Sequence, residues 1–461
     1  MALLDGWSWS VTVLALLTAA TAIEMQPPVV APTFAVRPPV EITLPNGLRL
    51  LHLTDTRAPY FEARLVVSPA AAGLTDAETA LLPLLRELIP YGTAAISRDS
   101  LQHALTNLGL SLEVGVGPTD EDGHTLSVRM AGLASDVPAA LALLRTLVAS
   151  PALRQTDVDS VVRILQQRTL STGDLRAWSY NRARQIEQTA LTPIDSATLL
   201  DPRLTDRLRT LHRRAFRADI AKLVVSGPFS VGQLRPWASA AFSEWASAPR
   251  ATGRHRSVQS CRAISTHSGH TTVDSLIRVN SAQTTVVLAT SMASASGAEH
   301  AHLAIAAALL RNRLVARALA ESWQSYGARV LVTQSPCERM LALQASVPPT
   351  QAAMAARAVH EILDSLRSAP LPEAEVDAAA RTVVMLRLGE AVSQSRAIDQ
   401  VLMREVNGDP KYWRLYGERL TKASSAGIRE FATRHLGDGQ RVWVVAGDST
   451  GVAAALQGKL R

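Results

Sequence analysis

Lysine, cysteine and aromatic side chains are all scarce in this chain, and each scarcity removes a class of protein. Only four of the 47 basic residues are lysine, and no Lys/Arg run of the kind that makes a nucleic-acid patch occurs despite a net charge of +7. The positive charge is therefore thinly spread and arginine-rich, which reads first as an ordinary solvated surface; anionic lipid or acidic polypeptide remain open as partners, and a nucleic-acid patch is disfavoured. Two cysteines, Cys261 and Cys337, are too few for a disulfide framework or a cysteine-rich zinc module. They either pair in an oxidising compartment or stay as separate structural thiols, since spacing alone does not give their distance. Aromatics make up 4% of the chain, so its cores must be built from Leu, Val and Ala. A Gly-rich phosphate loop and a GxSxG nucleophile elbow are both absent.

What is present is length and apolar content. With 461 residues, 47% of them apolar and 19% charged, the chain is too long for one core and too apolar for disorder. Val11 to Thr21 is a short apolar stretch, below the length of a membrane span, and Ala20-Thr21-Ala22 after it has a small-x-small cleavage pattern. Residues 1–22 are thus expected to be a secretory signal peptide, followed by a Pro-rich segment over 23–39. Against a cleaved signal stands the front end, where Met1 to Ser10 holds Asp5 and no Lys or Arg; an uncleaved anchor is the alternative. No stable membrane span is expected in the rest of the chain.

The chain repeats itself. Leu208 to Phe216 forms an amphipathic helix pattern that runs into the β-branched strand Lys222 to Gly227, and Ile428 to Leu436 runs in the same way into Arg441 to Gly447. The starts also correspond. Val40 to His52 reads as a hairpin around Pro45-Asn46-Gly47, followed by a strand over Ala63 to Ser68; Thr284 to Thr290 is the matching strand. Each strand leads into a long Ala/Leu helix, expected at Ala77 to Ile89 and at Glu299 to Glu321. The fold class is therefore α+β, with two homologous lobes, each a mostly antiparallel sheet with helices packed on one face. Lobes are expected over 40–230 and 271–461. The Pro-containing and polar residues 231–270 between them are read as a linker region, although Trp237, Phe242 and Trp245 make an aromatic stripe of the core-packing type.

Several blocks, in this order and spacing, resemble the insulinase/pitrilysin-like zinc peptidases. They are Leu44-Pro45-Asn46-Gly47-Leu48, Gly92-Thr93 and Ala218 to Gly227 in the first half. In the second half they are Ala282-Gln283-Thr284, Leu371-Pro372-Glu373-Ala374-Glu375-Val376 and Val442 to Asp448. That family works through an inverted zinc motif, HxxEH, on the first long helix, with a carboxylate from a later helix completing the metal shell. Here the motif window holds Pro83-Leu84-Leu85-Arg86-Glu87: no donor atom at the first ligand position, a cation at the general-base position, and Glu87 at the second ligand position. No His occurs between Ala70 and Arg98. Gln166 and Gln167 stand near the place of the later carboxylate. The resemblance therefore implies a homologue with a lost zinc site, with no catalytic residue, no metal and no cofactor of its own.

In the second half the family supplies an Arg and, seven residues on, a Tyr that bind substrate backbone. Tyr326 falls where that Tyr belongs, but seven before it stands Leu319. Arg317 is the nearest cation and pairs at i, i+4 with Arg313, so Tyr326 and Arg317 are the candidate peptide-binding residues. His300 and His302 are two apart on a helix and point to different sides, which disfavours joint metal binding. His267, His270 and Cys261 have metal-like spacing without a supporting carboxylate cluster. The expected function is that of a periplasmic, non-catalytic subunit of a heteromeric insulinase-like metallopeptidase. It would form half of a peptide-enclosing chamber beside a zinc-bearing partner chain, in a Gram-negative bacterium. The alternative is a stand-alone peptide-binding or structural module of the same fold.

Overall fold

In the computed structural model the described residues are 39–67, 72–116, 126–170, 175–187, 196–247, 271–277, 281–293, 298–324, 327–334, 338–407, 412–437 and 441–459. The expected signal peptide 1–22, Cys261, Cys337, His267, His270 and Tyr326 lie outside them.

The first half builds a six-stranded sheet from β1 (Val40–Thr43), β2 (Arg49–Thr54), β3 (Tyr60–Val67), β4 (Ser111–Val116), β5 (Leu126–Leu133) and β6 (Ala221–Gly227), in the order β1-β2-β6-β3-β5-β4. The second half builds a five-stranded sheet from β7 (Thr272–Ile277), β8 (Thr284–Ala293), β9 (Gly327–Gln334), β10 (Glu338–Val347) and β11 (Arg441–Gly447), in the order β7-β11-β8-β10-β9. Without β1 the two orders are the same. Each sheet has one parallel pair, β2 with β6 and β7 with β11, and the other ladders run antiparallel.

The hairpin at the start closes as its sequence requires. Gly47 takes φ +91°, open to glycine at little cost, and its N–H meets the Leu44 carbonyl at 2.9 Å. Asn46 donates from Nδ2 to the Phe242 carbonyl at 2.7 Å, tying the turn to the end of a helix 196 residues later.

The helices of the first half are α1 (Leu82–Leu88), α2 (Arg98–Asn107), α3 (Val137–Ala149), α4 (Gln155–Leu170), α5 (Leu175–Glu187), α6 (Leu204–Ala215) and α7 (Val231–Phe242). Those of the second half are α8 (Ala298–Ala320), α9 (Ala352–Ser368), α10 (Glu373–Val392), α11 (Gln394–Asn407), α12 (Tyr412–Thr421), α13 (Ser425–His435) and α14 (Ser449–Lys459). In each half several helices bury an apolar stripe on one sheet face. Along β3 the alternation is plain: Phe61, Ala63, Leu65 and Val67 enter the first core, while Glu62, Arg64 and Val66 point to the other face.

That other face is covered by one helix from the opposite half. Helix α5 of the first half lays Trp178, Tyr180, Ala183 and Ile186 on Val287, Ala289, Met340, Val442 and Val444 of the second sheet. Helix α11 of the second half lays Ile398, Val401 and Leu402 on Leu51, Leu53, Val66 and Val224 of the first. The halves therefore exchange one helix each.

The expected linker over 231–270 is shorter than its composition suggests. Residues from Val231 belong to the first half: α7 starts with a reciprocal capping box between Ser230 and Gln233, and its Leu234, Ala238 and Phe242, with Trp245 after it, are buried in the first core. Pro236 sits inside this helix, so the proline that reads as a linker signal is accommodated in a packed element. Trp237 meets Phe229 edge-on at 5.6 Å, as its stripe predicts.

Candidate functional site

The motif window lies on α1, and Pro83 decides how that helix forms. A proline has no N–H to give and costs least in the first helical turn, where Pro83 sits. The expected single helix over Ala77 to Ile89 is therefore broken. A short turn at Asp76–Thr79 ends, α1 begins anew at Leu82, and a 3-10 turn, Ile89–Tyr91, closes it. Leu82, Leu84, Leu85 and Leu88 are buried. Pro83, Arg86 and Glu87 share the opposite face at i, i+3 and i+4; Pro83 and Arg86 are exposed and Glu87 is half-buried.

The loop after α1 is held rigidly. Gly92 takes φ +93°, and a Cβ there would lie 2.2 Å from the Ile96 carbonyl oxygen, so this glycine is required by both conformation and space. Thr93 is buried and accepts from the N–H groups of Ala95 and Ile96, at 3.2 and 3.0 Å. Its carbonyl accepts from Arg154 Nη2 at 2.9 Å, which fixes the start of α4 beside α1. The two helices that carry ligands in the resembling family are thus neighbours here. On α4, Gln166 is half-buried, and the side chain of Gln167 lies outside the described residues.

The donor set does not fit zinc. Pro83 offers no lone pair, Arg86 is permanently cationic, and Glu87 is the only carboxylate of the window. Among the described residues no group of three or more His, Cys, Asp or Glu side chains is placed to hold a metal ion. No chemical step through a metal follows from this arrangement.

In the second half α8 spans 23 residues without a break. Arg313 is clamped by Glu375 through two bonds of 2.9 Å each, and donates to Ser365 Oγ at 2.6 Å. The Leu371 to Val376 block thus meets α8 in one fork-to-fork ion pair. Arg317 pairs with Glu321 on its own helix and with Glu361 on α9 at 3.0 Å. Arg313 and Arg317 are therefore both engaged in helix-to-helix bonds. Leu319, where the family would place its Arg, is exposed.

His300 and His302 face different surroundings. His300 is buried, and burial, aided by Arg339 and Arg419, pushes it down to about 3. His302 faces the Phe431 ring, with centroids 6.2 Å apart, and burial lowers it as well.

A charged cluster that the sequence reading did not single out lies where α11 meets the first sheet. Arg64, buried on β3, donates to Glu62 Oε1 at 2.9 Å and to Ser395 Oγ at 3.0 Å, and pairs with Asp399. Arg129 of β5 bridges Glu62 at 3.1 Å and Glu113 of β4 at 3.0 Å. Glu62 and Asp399 are the two buried carboxylates among the described residues, and both are here. The available signal was the alternation Glu62-x-Arg64 within an apolar strand.

Residues 204–383 match the family described as peptidase M16 inactive domain. No curated protein matches the sequence significantly. A protease from Helicobacter pylori superposes with a TM-score of 0.74 at 12% identity, covering 88% of this chain and 98% of its own. A peptidase M16 inactive domain from Pseudomonas fluorescens gives 0.72 at 15% identity, covering 89% of this chain and 98% of its own. The periplasmic protease PqqL from Escherichia coli gives 0.68 at 13% identity, with 92% of this chain matched to 50% of PqqL. No helix among the described residues is long and apolar enough to cross a membrane.

Proposed function

We propose that this chain, which matches the peptidase M16 inactive domain over residues 204–383 and has no HxxEH motif on its first long helix, is the non-catalytic subunit of a heteromeric insulinase-like metallopeptidase. The observation that carries the reading is the face of α1: a complete two-sheet fold of the family, with Pro83 in place of a ligand and Arg86 in place of the base. A cation at that position repels Zn²⁺, so the fold is retained where the chemistry is excluded. The match to half of PqqL supports the division of labour, in which a zinc-bearing chain of similar size supplies the other half of a peptide-enclosing chamber. PqqL is periplasmic, and the small-x-small pattern at Ala20-Thr21-Ala22 supports the same compartment for this chain. The arginine-rich surface favours acidic segments in the substrate or partner.

A second reading, a stand-alone binding or structural module, is favoured by one observation. Arg313 and Arg317 are bound within the fold instead of being offered to a ligand.

The test is to express the mature chain alone and together with a zinc-motif chain of similar size from the same source. Bound zinc and cleavage of an unstructured peptide are then measured. The subunit reading expects a zinc-free, inactive chain that forms a complex and raises its partner's turnover. Failure to associate with any such chain supports the module reading. Stoichiometric zinc with hydrolysis by the chain alone overturns both.

A further inference from the structure

Helix α10 is apolar on both of its faces. Inward, Val376, Ala379, Ala380 and Val383 are buried in the second core. Outward, Met385 is 66% exposed, Leu386 50% and Val392 67%. Met385, Gly389 and Val392 stand at i, i+4 and i+7, so they share one face of the helix. A helix that is apolar all round belongs in a covered place, and contiguous exposed apolar surface marks a contact.

The stripe continues past the end of α10. Two residues after Val392, Gln394 opens α11 and donates from Nε2 to the Tyr60 carbonyl at 3.3 Å. Tyr60 lies directly opposite Leu133 across β3 and β5, and Leu133 is 56% exposed. Opposed residues of an antiparallel pair point to the same face of the sheet. Leu133 of the first half and Val392 of the second therefore border one seam.

Gly389 adds an independent observation. It lies inside α10, where glycine is a weaker helix former than alanine. Its backbone is not left-handed, and outside its own helix a Cβ built there would meet nothing within 4 Å. Neither conformation nor packing within the chain calls for glycine at this place. Between two exposed apolar side chains, a bare backbone lets another backbone approach closely.

Charge selects the occupant. Among the described residues, the exposed charged side chains beside the seam are Arg381, one turn before Met385, and Arg396 and Arg57 at its α11 end. The carboxylates paired with the last two, Asp399 and Asp55, are far less exposed than they are. A second copy would set these arginines against themselves. No exposed aromatic side chain stands among the described residues of the seam to seat it in a lipid interface. We propose that the seam docks a zinc-bearing partner chain, which lays an apolar helix across Gly389 and turns carboxylates toward Arg381 and Arg396. The choice of that partner rests on the subunit reading above.

Association of the full chain with a zinc-motif chain of similar size from the same source, followed by calorimetry, tests it. Gly389→Arg and Leu133→Glu, one in each half, should each weaken association by about tenfold or more. Gly389→Arg should leave the thermal midpoint of the lone chain unchanged or raised, because arginine is the better helix former. Arg381→Glu should weaken association several-fold and reduce its dependence on salt. Undiminished association of Gly389→Arg or Leu133→Glu overturns the surface and leaves the subunit reading standing. Absence of association by the unaltered chain overturns the subunit reading and this docking with it. Self-association of the unaltered chain, or its binding to phosphatidylglycerol vesicles, overturns the choice of partner if either is lost in the same variants. A lowered midpoint for Gly389→Arg overturns the description of Gly389 as an outward gap.

Discussion

The two halves repeat one topology, yet the helix at the same place in each is built differently. In the first half α1 has seven residues, starts at a proline and presents Pro83, Arg86 and Glu87 to the outside. In the second, α8 runs 23 residues and fixes Arg313 and Arg317 to neighbouring helices. The inner face of α1 carries the leucines of the core, whereas its outer face carries Pro83, Arg86 and Glu87, of which only Glu87 has a group that could bind a metal. Packing and surface chemistry are set on opposite sides of one helix.

Three experiments sharpen or break this comparison. The largest effect is expected in the cores. Leu85→Ala in α1 and Leu309→Ala in α8 each remove a fully buried side chain, at a cost of roughly 2–5 kcal/mol. Because the halves share two exchanged helices, either substitution should move a single unfolding transition in calorimetry. Two transitions, each sensitive to one variant, would show that the halves unfold separately.

Next comes a buried histidine in each half. Burial pushes His212 down to about 4 and His300 down to about 3, against an ordinary 6.5. Both are neutral when folded, and the unfolded chain binds protons that the native state refuses. Their stability contribution is complete above pH 6.5. It falls by up to about 1.4 kcal/mol per pH unit for each as pH drops toward 4. The thermal midpoint should fall correspondingly, and His212→Gln should flatten the curve by one group. His212 also donates from Nε2 to the Val148 carbonyl at 2.8 Å and stacks on Phe216, so the variant is read by slope and not by absolute midpoint.

The smallest effects compare the outward arginines. Arg313→Ala leaves Glu375 without its fork and should cost roughly 1–3 kcal/mol in urea unfolding. Arg86→Ala removes an exposed side chain and should stay within about 0.5 kcal/mol. A large cost at Arg86 would mean that this face is held by the fold in spite of the exposure of Arg86.

Much of this architecture is legible in the sequence, for reasons that particular residues show. The Leu208 to Gly227 and Ile428 to Gly447 repeats are visible because a helix stripe and a buried strand have distinct periods. Both run as the pattern says, into β6 and β11. Pro83 was in plain view as a missing ligand, yet its second effect, restarting the helix, is hidden by the continuous leucine pattern around it. Pro236 misleads in the opposite sense, since a proline near a helix start can be absorbed by the helix. The cluster at Arg64 was not legible. Charges alternating on a strand read as a solvent face, and the helix that covers them lies 335 residues away in the chain. Local patterns report which residues share a face but not what distant element comes to cover it.

The exchange of α5 and α11 has a consequence for how such a gene can be divided. A cut that ends one fragment before residue 271 gives it α5 without the sheet that α5 covers, and leaves its own sheet without α11. Each fragment would carry a sheet face that loses its cover and a helix with nowhere to dock. The two would be poor proteins separately and natural complements when made together, so gene fission at this point is viable only with co-expression.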